Sequence, residues 1–186
     1  MCIDRLRYRQ SGLSLVELIV FIVIVSVGVV GLVSVMSSSI RFSADPMRSK
    51  QLLAVAESVL SEVLHQPFTW CDPDDAAAST AQAYADCAIP QNTLGATPST
   101  EDRYGTAVGA VYDNVADYGS FSKANIDDAS GNNPMTGYTA SVAVARAGTA
   151  LGLSDDTAAL SVTVTVSQGN DTFSLTGYRF RYAPRY

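Results

Sequence analysis

The chain has few of the residues that most often carry catalysis and metal chemistry. Its 186 residues include one histidine (His65), one tryptophan and three cysteines. A single histidine leaves no quartet for zinc, and the 15 residues between Cys71 and Cys87 are too many for a CxxC redox or zinc motif. No glycine-rich phosphate loop and no paired nucleophile and base are visible, so an enzyme is not expected. Basic residues are also scarce, with 12 Lys and Arg against 18 Asp and Glu, a formal net charge of -6. Arg5, Arg7 and Arg9 lie at the very start, which leaves the rest of the chain more acidic still. Nucleic-acid binding needs basic stripes to neutralise phosphate, so no nucleic-acid partner is expected.

Charge is missing altogether from Leu18 to Ile40, an apolar run of 23 residues. At about 1.5 Å per residue, a helix of that length spans roughly 35 Å, enough for a hydrocarbon core of about 30 Å. The core of a secretory signal peptide is shorter, about 7–15 residues, and ends at a small-residue cleavage site. Ser37-Ser38-Ser39-Ile40-Arg41 is a poor site of that kind. The arginines before the run place residues 1–12 in the cytoplasm and everything after Arg41 outside it. Gly28 and Gly31 interrupt the run, either as ordinary membrane-helix glycines or as points of close helix packing. Glu17 stands at the start of the apolar stretch, where a carboxylate is costly unless paired, used, or able to reach the headgroup boundary.

A short basic leader, Gly12, then Leu13-Ser14-Leu15-Val16-Glu17 opening a membrane-length apolar helix resembles the type IV prepilin and pseudopilin family. The family pattern is a glycine followed by a sequence like Phe-Thr-Leu-x-Glu; here Leu13 replaces the phenylalanine and Ser14 the threonine. The resemblance covers about residues 5–65. It implies an α+β type IV pilin fold, with a long hydrophobic then amphipathic N-terminal helix packed on a C-terminal antiparallel β-sheet. It implies cleavage between Gly12 and Leu13 by a membrane-embedded prepilin peptidase and N-methylation of the new Leu13 amine. It also implies an inner-membrane, single-pass precursor with its body in the periplasm, later assembled with other major and minor pilins by an inner-membrane platform into a surface fibre. The charges suit that role. Cleavage leaves a positive amine on Leu13, and Glu17 lies about one helical turn on. Each is costly when unpaired in apolar surroundings, so pairing between neighbouring subunits would set axial register.

With the body exported, Cys71 and Cys87 can pair, and closing that loop contributes roughly 3 kcal/mol in the chain-entropy model; the alternative is two buried free thiols. Five regions are expected: a leader (1–12), an assembly half-helix (13–41), an amphipathic half (42–66), an irregular variable region with the disulfide loop (67–137) and a β-sheet (138–186). Pro46 either restarts the helix or kinks it. Leu52, Ala56, Val59 and Val63 share one face, widened by Leu53, Val55, Leu60 and Leu64. Arg48, Lys50, Glu57, Ser58, Ser61 and Glu62 fall mainly on the other. Strands are expected over 138–146, 160–166 and 172–182, the last two forming a hairpin about Gln168-Gly169-Asn170-Asp171.

Asp72, Asp74 and Asp75 form a carboxylate cluster of a type that can bind calcium, and equally a turn and helix-capping sequence. No cofactor or metal is expected beyond calcium as the alternative reading of this cluster. Three stretches resemble minor pilins of the mannose-sensitive haemagglutinin pilus group: 66–75, 112–118 and 177–182. The expected function is therefore a minor pilin that assembles into or primes a pilus. The alternatives are a minor pseudopilin of a type II secretion system and a calcium-dependent binding module at a fibre tip.

Overall fold

A computed structural model describes residues 12, 14–105 and 110–181, with the side chains of 37–46 left aside. The described residues fall into two compact units divided between Met47 and Arg48. One long helix, α1 (Leu15–His65), contributes to both. Pro46 lies inside its assigned span, so the helix does not restart there, although proline brings no N–H to the helical ladder.

In the second unit the C-terminal part of α1 lies on a four-stranded sheet of order β1-β2-β3-β4, antiparallel throughout. The strands are β1 (Ser122–Ala124), β2 (Tyr138–Arg146), β3 (Ala159–Gln168) and β4 (Asp171–Phe180). The period-2 alternation puts Ala140 and Val142 of β2 and Val162, Val164 and Val166 of β3 on the buried face. They meet Leu52, Ala56, Val59, Leu60 and Val63 of the helix. The alternate residues Thr163 and Thr165 turn outward and bridge to β4 through Thr163–Thr176 and Thr165–Ser174 hydroxyl pairs, both 2.9 Å.

Glycine is required at two places. Gln168 pairs with Asp171, leaving Gly169-Asn170 as a two-residue loop whose first position has φ of 60°, open to glycine at little cost. On β4, a Cβ at Gly177 would lie 2.8 Å from Leu64 Cδ1 and 3.3 Å from Leu60, so the bare backbone admits the helix. The final strand ends at Phe180, short of the expected Tyr182, which lies outside the described residues. β1 has no counterpart in the expected set. It has three residues and no apolar alternation, and it forms by pairing Ser122, Lys123 and Ala124 with Ser141, Ala140 and Thr139.

The region between helix and sheet is irregular, but it is pinned to the core. Val115, Tyr118, Phe121 and Ile126 join the hydrophobic cluster. Val115–Tyr118 form one 3-10 turn, capped by the buried Asn114 side chain accepting from the Ala116 N–H. Cys71 and Cys87 form a disulfide.

Candidate functional site

The N-terminal segment is set up by Ser14. Its hydroxyl accepts the Glu17 N–H at 3.4 Å, and its carbonyl accepts the Leu18 N–H at 3.1 Å. Ser14 thus caps the first turn of α1, and the Ser-x-x-Glu spacing is that of a capping box. Glu17 is exposed in that first turn, at the positive end of the helix dipole, where a carboxylate is favoured. Gly12 is described, while Leu13, the other partner of the expected cleavage bond, lies outside the described residues. From Leu15 to Met36 the helix has a mean hydropathy of 3.1 and no residue buried by the rest of the chain, so it is long and apolar enough to cross a membrane. Ser26, the polar side chain in the middle of this span, returns its hydroxyl to the Ile22 carbonyl at 2.7 Å. A Cβ at Gly28 or Gly31 would meet nothing within 4 Å. Among the described residues nothing packs at those glycines.

In the second unit, ion pairs around Arg103 hold the irregular region to the helix. Arg103 forks onto Glu62 of the helix, with both nitrogen–oxygen distances 2.6 Å. Burial works against the Arg103 charge, but the Glu62 carboxylate outweighs it and raises the guanidinium pKa. Arg103 also reaches Tyr104 and Asp127, and Lys123 reaches Asp127 at 3.3 Å. The Tyr118 hydroxyl donates to Glu62 at 2.9 Å. Burial, together with Asp127 as hydrogen-bond partner, pushes the Tyr104 hydroxyl up to about 12.

A second anchor ties Arg181, the residue after β4, to the disulfide loop and the residues just before it. The Arg181 guanidinium lies 3.5 Å from the Trp70 ring centroid and 4.3 Å from that of Phe68, and it donates to the Tyr84 hydroxyl at 2.9 Å. Asn114 donates to the Thr69 hydroxyl at 2.9 Å, and the Val115 N–H to the Pro67 carbonyl at 3.0 Å.

The expected trio of aspartates does not act as one set. Asp75 accepts the Ala77 N–H at 2.9 Å and the Ile89 N–H at 2.6 Å, and these backbone bonds hold its carboxyl below the ordinary value. Asp74 is exposed. Asp72 is fully buried and instead converges with Glu101 and Asp113. Burial raises the carboxyl of Asp72, and burial with the charges of Asp117, Asp72 and Asp113 pushes Glu101 up to about 9. Burial, then the charges of Asp72 and Asp74, lifts Asp113 to about 6. Asp117, also buried, is lifted to about 7 although it accepts from Asn114 and from Gln91.

Residues 7–33, from the arginines before Gly12 through most of the apolar span, match the family model described as the prokaryotic N-terminal methylation motif. The chain carries the prepilin methylation motif. No curated protein and no solved structure matches the chain. The methylation motif is that of type IV prepilins and pseudopilins, and the long helix with its four-stranded antiparallel sheet is a type IV pilin-like α+β fold. The motif implies processing by prepilin peptidase, assembly into a pilus in general, and a structural rather than a catalytic role.

Sequence reasoning missed Glu62, which it placed on the solvent side of the amphipathic helix. The residue is half-buried because Arg103, 41 positions on, covers it. It also missed Glu101 and Asp113 as companions of Asp72. The signal available was an acidic residue beside each of two tyrosine-containing stretches, which is too common to single out.

Proposed function

We propose that the chain is a minor type IV pilin of the mannose-sensitive haemagglutinin pilus group, an exported subunit that primes or joins a pilus. The observation that carries the pilin reading is the coincidence of Gly12, the Ser14-capped turn bearing Glu17, and an uncharged membrane-length helix within the matched motif. Cleavage after Gly12 gives Leu13 a free amine, and methylation leaves it positively charged. Glu17 of an incoming subunit pairs with the amine of its neighbour, because both charges are costly unpaired among apolar helices. The helix is a membrane anchor before assembly and the fibre core afterwards.

The finer assignment rests on the resemblance of residues 66–75, 112–118 and 177–182 to minor pilins of that group. Trp70 and Phe68 of the first stretch receive Arg181 of the third, and Thr69 of the first receives Asn114 of the second. These stretches, far apart in sequence, touch one another in the fold. The test is deletion of the gene followed by two assays on the same cells. A pilus subunit's loss abolishes or depletes surface fibres and leaves exoprotein release unchanged. Lost exoprotein release with fibres intact makes the chain a minor pseudopilin of a type II secretion system instead.

A further inference from the structure

Asp72, Glu101 and Asp113 come from three separate segments, and each presents a carboxylate oxygen to one point, the three atoms lying within 4.8 Å of one another. The backbone fixes this convergence. Residues 71 and 90 pair as an isolated bridge, as do 102 and 111, and the Asp72 N–H donates to the Ile89 carbonyl at 2.9 Å. Asp72 is 0% and Glu101 4% exposed. Asp72 Oδ2, both Glu101 oxygens and Asp113 Oδ1 are buried, and no donor from outside the cluster reaches them among the described residues; Asp72 and Glu101 face each other. Arg103, two positions from Glu101, is committed to Glu62 and Asp127 and supplies no counter-charge here.

Buried carboxylates that accept from no donor need a positive partner or a proton. Calcium binds oxygens at about 2.3–2.6 Å in flexible geometry, so ligands on opposite sides of the ion lie roughly 4.6–5.2 Å apart. Three oxygens within 4.8 Å of one another fit on one such sphere. We propose that Asp72, Glu101 and Asp113 bind a calcium ion that fastens the disulfide segment to the two segments bearing Glu101 and Asp113. Water and backbone oxygens complete its coordination, since calcium takes about 6–8 ligands. The ion does for the polar part of the variable region what Val115, Tyr118 and Phe121 do for its apolar part. This site is independent of the methylation motif and stands whether the chain serves a pilus or a secretion system.

The test uses the full chain in detergent micelles, first stripped with a chelator. Calcium chloride is titrated by calorimetry, and thermal unfolding is followed with calcium, with magnesium and with chelator. Terbium luminescence excited through Trp70 and Tyr112, close in sequence to Asp72 and Asp113, serves as a second readout. The expected result is saturable one-to-one binding with a rise in unfolding temperature. Glu101→Gln and Asp113→Asn should each weaken binding by about tenfold or more, while Asp74→Asn stays within about twofold. In chelator, Glu101→Gln should unfold no earlier than the wild type, because it removes a charge from an uncompensated cluster; that separates a lost ligand from a lost fold. The proposal is overturned by absent calcium heat with an unfolding temperature indifferent to chelator, which would leave a proton shared between Asp72 and Glu101 as the neutralising species. It is equally overturned if both ligand variants keep the calcium response, or if magnesium at the same concentration gives the same shift.

Discussion

Arg103 grips Glu62 with two parallel bonds, Nε to Oε1 and Nη2 to Oε2, each 2.6 Å long and joining positions 41 residues apart. The pair connects the helix to the irregular region at a point where only 3% of the Arg103 side chain and 17% of the Glu62 side chain meet solvent. Its fork geometry is specific to arginine.

Removing one partner of such a pair strands the other. Arg103→Ala should cost about 3–5 kcal/mol. Thermal unfolding of the detergent-solubilised chain, read by circular dichroism, should fall by roughly 10 °C, given about 2–4 °C per kcal/mol at this size. Arg103→Lys should recover only part of that, because an ammonium cannot bridge both oxygens. Full recovery with lysine would show that charge alone, without the fork, is enough.

Asp127 sets an acid limit on stability. Burial by itself would raise its carboxyl, but hydrogen bonds from Tyr104 and Lys123 outweigh burial and hold it below the ordinary 3.8. A depressed folded-state value means that the stabilisation is present above the unfolded-state value and is lost as pH falls through the folded one. The loss therefore lies below about pH 4. Lys123→Met weakens the charged form, so the acid unfolding midpoint should move to higher pH. Superimposable acid transitions for the two proteins would contradict this.

The Cys71–Cys87 bridge spans a sequence separation of 16 and closes the loop that carries Asp72, Asp75 and Tyr84. The double variant Cys71→Ala/Cys87→Ala should lose roughly 3 kcal/mol, seen as a shift in the denaturant midpoint. Wild-type protein under reductant should lose a similar amount, and the double variant should not respond to reductant.

Gly177 lets β4 and the helix approach closely. Gly177→Val should cost about 1–3 kcal/mol by overpacking against Leu60 and Leu64. Gly177→Ala should cost less, since the contacted atoms are flexible leucine ends. Chemical denaturation of both variants gives the comparison.

The parts of the fold legible in the sequence are those where a local period meets one continuous surface. Leu52, Ala56, Val59 and Val63 repeat at the helical period and are all buried, while Val162, Val164 and Val166 alternate and are all buried. Ser14 read only as the replacement for a motif threonine, and its capping of the first helical turn emerged with the Ser14–Glu17 bond. Local patterns could not show what distant segments do to one another. Glu62 read as a solvent residue because nothing near it in sequence announces Arg103. Asp74 and Asp75 drew attention because they adjoin Asp72, yet backbone N–H groups occupy Asp75, and Asp72 turns to residues 29 and 41 positions on. β1 exists because β2 offers an edge, not because Ser-Lys-Ala favours extension.

The first residue of the mature chain decides whether the chain is processed as a prepilin. Intact-mass and N-terminal peptide analysis of the protein from cells with active prepilin peptidase tests it directly. The expected result is a chain that begins at Leu13, one methyl group heavier than the bare sequence, and a return to the Met1 form when the peptidase is removed. A chain that still begins at Met1 while the peptidase is active, with other prepilins in the same cells processed, would contradict it.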